Sequence, residues 1–250
     1  MAAFGLAADA RALKVDVVDG RDTAVARVPL VEDAVIEHDA RAVPGFALVS
    51  SDVTGRAIFQ NGAEQLEVIT ANRRDLEHCF GVDLIYVNLT KDNVVMLQYK
   101  MLEPSKSNGN DTDWIYRPDG QLNAELARMK LFDRRHRTAK FEYRLNCTTF
   151  YFKFVKRDAA LASPCVITPL DHFEKIMANP SMKGPRNGKR ISFQSLDGRY
   201  LRQGAFLDLL RFGYIGAYGA TSAKLKSLID AVLAGDRALV TAVQRQVAQS

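Results

Sequence analysis

Cysteine is scarce in this chain, and its three occurrences, Cys79, Cys147 and Cys165, are odd in number and far apart. No CxxC or Cys/His ligand spacing appears, which excludes a disulfide framework and a zinc site as organising devices. Reduced, partly buried thiols are expected. Long apolar runs are also lacking, since no stretch approaches the roughly eighteen apolar residues of a membrane span. The opening residues, MAAFGLAADARALK, have neither the basic start nor the apolar core of a signal peptide, so a cytoplasmic protein is expected. GPRNGKR at 184–190 lacks the Lys-Ser/Thr ending and strand–helix setting of a P-loop, which argues against nucleotide hydrolysis. Internal repeats and low-complexity tracts are absent.

What is there suits a globular protein. The 250 residues are 47% hydrophobic and 25% charged, enough to bury a sizeable core without staples. The net charge of +5 is modest, and its distribution says more. Lys183, Arg186, Lys189, Arg190, Arg199 and Arg202 face a single acid, Asp197, within twenty residues. Lys130, Arg134, Arg135, Arg137 and Lys140 form a second cluster beside Asp133. Clustered Lys and Arg attract phosphates without regard to sequence, and they also serve as solvated faces.

Residues 12–18 and 24–30 flank the turn-like DGRD and predict a β-hairpin. Residues 31–58 show no clean period, and residues 1–55 are read as an N-terminal lobe. From Asn61 to Phe80, the spacing of Phe59, Ala63, Leu66, Ile69, Leu76 and Phe80 predicts a helix that bends or breaks near Asn72. Two β-rich runs follow, Val82–Leu89 and Val94–Lys100, separated by Thr90-Lys91-Asp92-Asn93, which is hairpin chemistry. Both runs are apolar on both faces, as in covered interior strands. A polar loop, 103–113, precedes a helix over Gly120–Phe132 with Asp119 as its N-cap. Cys147–Lys156 reads as a strand. Beyond residue 160, helices are expected over Pro169–Ala178, Gln203–Phe212, Thr221–Ala234 and Asp236–Gln249. A core over 56–160 and a mostly helical C-terminal lobe over 161–250, with a basic loop at 183–202, complete this division.

The chemistry concentrates on the central hairpin. If its loop is Lys91-Asp92, or the four residues Thr90–Asn93, cross-strand partners have numbers summing to 183, which sets Asp83 opposite Lys100 and Ile85 opposite Gln98. Opposed residues project from the same face, as do residues two apart on a strand. Asp83, Gln98 and Lys100 would then converge on one face, and a one-residue slip would separate them. A carboxylate and an amide oxygen are suitable ligands for Mg²⁺, which lowers the pKa of a bound water and neutralises developing phosphate charge. An ammonium beside them can position the attacking water or stabilise the oxyanion.

The stretch GVDLIYVNLTKDNVVMLQYK, residues 81–100, with the helix and strand expected after it, resembles the αβββαβ core of the PD-(D/E)xK nuclease superfamily. Gln in place of the usual acid resembles the Mrr-type restriction endonuclease branch. The resemblance covers about 60–156 and implies a restriction-endonuclease-like α/β fold with a central mixed sheet, flanked by a β-containing N-terminal lobe and a helical C-terminal lobe. It implies that Asp83 and Gln98 help bind Mg²⁺ (or Mn²⁺) and that Lys100 acts on the water. Family members often add a glutamate from the preceding helix. At about 100° per residue, Glu77 lies roughly 50° from the centre of the apolar stripe, against about 130° for Glu67, with Glu64 almost opposite. Glu77 is therefore the expected fourth member, with Glu67 or Glu64 returning if the helix breaks at Arg73. The first strand usual in the family has no assigned counterpart in this chain.

The implied protein is a metal-dependent DNA endonuclease of bacterial restriction or anti-phage defence. Arg186, Lys189, Arg190, Arg199 and Arg202 are its candidate DNA contacts, and a homodimer or larger assembly would cut both strands. RNA or branched DNA as substrate, and a non-cleaving nuclease-fold binding module, are the alternatives. Asp111 and Asp113 form a DxD in a polar loop, which suits a solvated loop better than a metal site, and His78 and His136 have no partner at useful spacing. Trp114, Tyr116 and Arg117 are open to either substrate contact or core packing.

Overall fold

A long strand that is apolar on both sides needs cover on both sides, and the architecture follows from that requirement. The computed structural model describes residues 32–71, 75–106, 112–136, 141–157, 165–184 and 188–234. Helix α1 (Glu32–Arg41) comes first, followed by strands β1 (Ala47–Ser51), β2 (Arg56–Asn61) and β3 (Glu64–Thr70) and the short helix α2 (Asp75–Phe80). Strands β4 (Leu84–Asn88), β5 (Asn93–Lys106) and β6 (Thr112–Tyr116) lead to α3 (Leu122–His136) and β7 (Phe150–Lys156). The remaining elements are β8 (Val166–Pro169), α4 (Leu170–Ala178), β9 (Ile191–Ser192), α5 (Phe193–Leu196), α6 (Gln203–Arg211) and α7 (Gly219–Leu233).

The nine strands form one mixed sheet in the order β1-β2-β3-β4-β5-β6-β9, with β7 pairing β5 and β8 pairing β7. The β5–β7 pair is parallel, with α3 in the connection, and the others are antiparallel. Each side of the sheet carries its own apolar layer. Ile85, Val87, Val94, Met96, Leu102, Phe150, Phe152 and Phe154 pack on one side with residues of α3, α4 and α7. Leu84, Tyr86, Val95, Leu97, Tyr99 and Tyr151 pack on the other with Val35, Ile36 and Ala40 of α1 and Phe206 and Leu210 of α6. Fully burying each such side chain contributes about 1.5–3 kcal/mol relative to exposure.

Several expectations hold at the level of elements. The helix after Asp119 forms, and Asp119 Oδ1 accepts from the Gln121 and Leu122 amides. The strand ending at Lys156 and the helices from Leu170, Gln203 and Gly219 lie where the pattern puts them. Others are corrected. The helix expected over Asn61–Phe80 is mostly strand: β2 and β3 form a hairpin with Asn61 paired to Glu64, and among the described residues of this range only Asp75–Phe80 is helical. The two-residue loop is Gly62-Ala63, and Gly62 at φ +58° supplies the left-handed first position that such a hairpin takes. The C-terminal third contributes strands β8 and β9 as well as helices. The hairpin expected at 12–30 and the last expected helix lie outside the described residues.

The register of the central hairpin is also corrected. Leu84 pairs with Leu97 and Asn88 with Asn93, so partner numbers sum to 181 rather than 183. Polar pinning accounts for the difference. Asn88 Oδ1 caps the Thr90 and Lys91 amides, and its Nδ2 donates to the Leu210 and Arg211 carbonyls. Asn93 Nδ2 donates to the Leu210 and Ile215 carbonyls. The two asparagines close a four-residue loop over 89–92, one position earlier than Thr90–Asn93, with Asp92 at φ +50°. Because the shift is even, every side chain keeps its face.

Candidate active site

On β5 the residues facing α3 run Val94, Met96, Gln98, Lys100, Leu102. Two polar residues thus interrupt an apolar layer, and the neighbouring strand repeats the interruption where Asp83 precedes Ile85 and Val87. Locally inconsistent positions of this kind are where sites concentrate. Asp83 does not stand opposite Lys100. It lies one residue ahead of β4, tied to β5 through the Leu97 carbonyl and the Tyr99 amide, whereas Gln98 and Lys100 stand two apart on β5 and share a face of that strand.

Asp83 is 3% exposed and holds the end of the ladder. Its amide donates to the Leu97 carbonyl at 2.8 Å, and its Oδ2 accepts from the Tyr99 amide at 2.7 Å. Where β4 leaves β5, this carboxylate serves as the acceptor that a continuing strand would have provided. Its pKa is pushed up to about 7, chiefly by burial and then by the carboxylates of Glu32 and Glu77, against the lowering pull of the Tyr99 amide and Lys100. Burial and its acidic neighbours Asp33 and Glu77 raise Glu32 as well, against the lowering pull of Lys100 and Arg157. Lys100 Nζ donates to Glu125 Oε2 of α3 at 3.0 Å, with both side chains mostly buried.

Two glutamates enter the electrostatic neighbourhood of Asp83, the expected Glu77 and also Glu32. Of the two, Glu32 of α1 acts on Asp83 more strongly than Glu77 of α2. Glu67 lies buried on β3 and pairs with Arg56 at 2.7 Å. Glu64 pairs with Arg211. Glu32 and Glu125 are absent from the expectations drawn from the sequence. Acidic Glu32-Asp33 opening a segment with Val35, Ile36 and Ala40 on one side is a helix-start signal that could have found the first.

A divalent ion is the group these residues suggest. Among the described residues, no three His, Cys, Asp or Glu side chains stand close enough together to hold one ion. The donor chemistry nevertheless suits a hard cation. Glu32 and Glu77 both push Asp83 up, Glu77 also pushes Glu32 up, and a cation among the three would relieve that repulsion. Gln98 supplies a neutral oxygen on the face of β5 that carries Lys100.

Behind the site, on the opposite face of β5 and β7, lies a buried polar cluster. Lys153 Nζ donates to Asp39 Oδ2 at 2.6 Å and to Gln203 Oε1 at 2.8 Å. The Tyr99 hydroxyl donates to the same Asp39 oxygen at 2.6 Å. Asp39 lies two turns along α1 from Glu32, so this cluster fixes the helix that carries Glu32 toward Asp83.

Of the expected phosphate contacts, Arg186 lies outside the described residues. Lys189 Nζ donates to the Met177 carbonyl, and Arg190 is half-buried. Arg199 and Arg202 are exposed, the latter 5.1 Å over the Tyr200 ring. The segment is tied to the site through β9, which pairs with β6, which in turn pairs with β5 beyond Lys100. Asp111 is outside the described residues, and Asp113 is buried with its Oδ1 accepting from the Trp114 amide. The three cysteines are free thiols, and no described helix is long and apolar enough to cross a membrane. Comparison of the chain with protein-family models, curated proteins and solved structures gives no match.

Proposed function

We propose that the chain is a metal-dependent nuclease of PD-(D/E)xK type that hydrolyses phosphodiester bonds in DNA. The observation that supports this reading is Asp83 tied to β5 at Leu97 and Tyr99, on the strand that carries Gln98 and Lys100, with Glu32 and Glu77 acting on Asp83 and Glu125 paired to Lys100. Asp83 and Gln98, with Glu32 or Glu77, would hold Mg²⁺ or Mn²⁺. When bound, that ion supplies Lewis-acid charge and lowers the pKa of a coordinated water. Lys100 then orients the attacking water or stabilises the developing oxyanion, and Glu125 sets where its ammonium stands. The basic residues Lys189, Arg190, Arg199 and Arg202 hold the phosphate backbone. Two such sites in a homodimer would cut both strands of a duplex, in keeping with restriction or anti-phage defence inside the cell.

A second reading has its own observation. Asp83 already accepts from Tyr99, Lys100 is already paired with Glu125, and no tight carboxylate triad forms among the described residues. A nuclease-fold module that binds nucleic acid without cleaving would have this appearance. Cleavage of duplex DNA, single-stranded DNA and RNA with Mg²⁺ or Mn²⁺ separates the two. The nuclease reading expects metal-dependent cleavage by wild type and its loss in Asp83→Ala and Lys100→Ala. Equal activity in all three proteins contradicts it, and metal-independent binding without cleavage favours the second reading.

A further inference from the structure

The Tyr116 hydroxyl is buried and has no hydrogen-bond partner among the described residues. Tyr116 itself is 7% exposed, at the end of β6. One step beyond the Glu103–Ile115 pair, it falls at the level of Leu102, which shares a face with Lys100 and Gln98. Its ring packs 5.4 Å from that of Phe154, the residue paired with Lys100 across β5 and β7. Burial first, then the carboxylates of Asp119, Glu125 and Glu32, hold the phenol in its protonated form, so it is a donor at ordinary pH. Buried hydroxyls are normally satisfied, and an orphan one beside a cluster of charged groups has a use there.

Resting on the nuclease reading, we propose that Tyr116 is a further substrate-binding residue, whose hydroxyl donates to a non-bridging oxygen of the nucleic-acid phosphodiester presented to Lys100. A phosphate oxygen is the strongest acceptor that the substrate would bring to this place, and a neutral donor meets it without adding a buried charge. Tyr151 provides the control. Its hydroxyl is equally buried and equally without partner among the described residues, but it faces α6 on the other side of the sheet.

Tyr116→Phe and Tyr151→Phe are compared with wild type for thermal midpoint and for kcat and KM on duplex DNA with Mg²⁺. Neither substitution should lower the thermal midpoint, because each removes an unsatisfied hydroxyl and keeps the ring. Loss of one hydrogen bond to a charged oxygen should lower kcat/KM by about ten- to hundred-fold in Tyr116→Phe alone. Unchanged kcat/KM in an active protein overturns the proposal. So does an equal loss in Tyr151→Phe, or a fall in the midpoint of Tyr116→Phe, which would mean that the hydroxyl is satisfied within the fold. A wild type that neither binds nor cleaves DNA or RNA removes the nuclease reading itself, a failure recognisable before either variant is measured.

Discussion

The Tyr99 amide donates to Asp83 Oδ2 at 2.7 Å while the Tyr99 hydroxyl donates to Asp39 Oδ2 at 2.6 Å. One residue of β5 therefore holds the candidate metal ligand at the end of the β4–β5 ladder through its backbone and α1 through its side chain. The acid cluster owes its arrangement to this double attachment, since α1 also carries Glu32.

Asp83 makes stability depend on pH in a defined direction. Its folded pKa near 7 lies above the ordinary 3.8, so the folded state binds the proton more readily than the unfolded chain. The stability linked to this proton is fully present below about pH 4 and is lost as pH rises through 7. Asp83→Asn keeps an oxygen for the Tyr99 amide and removes the titration. Between pH 4 and 8, wild type should lose up to about 4 kcal/mol relative to Asp83→Asn, since a tenfold difference in proton affinity is worth roughly 1.4 kcal/mol. Denaturant unfolding across that range checks it, and a constant difference between the two proteins contradicts it.

Neutralising the acidic neighbours should lower the pKa of Asp83. Glu32→Gln is expected to lower it more than Glu77→Gln, following the order in which the two act. Carboxyl-carbon NMR titration reads both changes directly. If Glu32 is also the helix ligand, Glu32→Gln weakens Mn²⁺ binding more than Glu77→Gln in the same titration series.

The Lys153–Asp39 pair has side chains 4% and 13% exposed. Asp39→Ala leaves a buried ammonium with only Gln203 and the Tyr99 ring beside it, and should cost about 3–5 kcal/mol. Removing both charges together, as in Asp39→Leu with Lys153→Met, should recover most of that loss. Chemical denaturation of the three variants gives the coupling. Equal destabilisation by the single and double substitutions contradicts the pairing.

The same residues explain what could be read from the chain and what could not. Val82–Leu89 and Val94–Lys100 were legible as strands because apolar residues on both faces leave no alternative to an interior position. The face shared by Gln98 and Lys100 was legible for the same reason, since alternation along β5 fixes it. Register was not, because it depends on Asn88 and Asn93 reaching carbonyls more than a hundred residues away. The helical spacing of Leu66 and Ile69 in β3 is a coincidence, and Gly62 between two β-rich runs carries the better signal. Glu32 and Glu125 join the site through helices docked on opposite faces of the sheet, a relationship that no local pattern encodes. The cluster of Lys153, Asp39 and Gln203 is hidden likewise, because its members come from a strand and two helices distant in sequence.

Metal-dependent cleavage tests the central claim most directly. Wild type, Asp83→Ala and Lys100→Ala are incubated with plasmid and single-stranded DNA in Mg²⁺ or Mn²⁺, with circular dichroism confirming that each is folded. The expected result is cleavage by wild type that chelation abolishes, with at least a hundred-fold loss in each variant, about 2.7 kcal/mol of transition-state stabilisation. Folded variants that cleave as fast as wild type would contradict it.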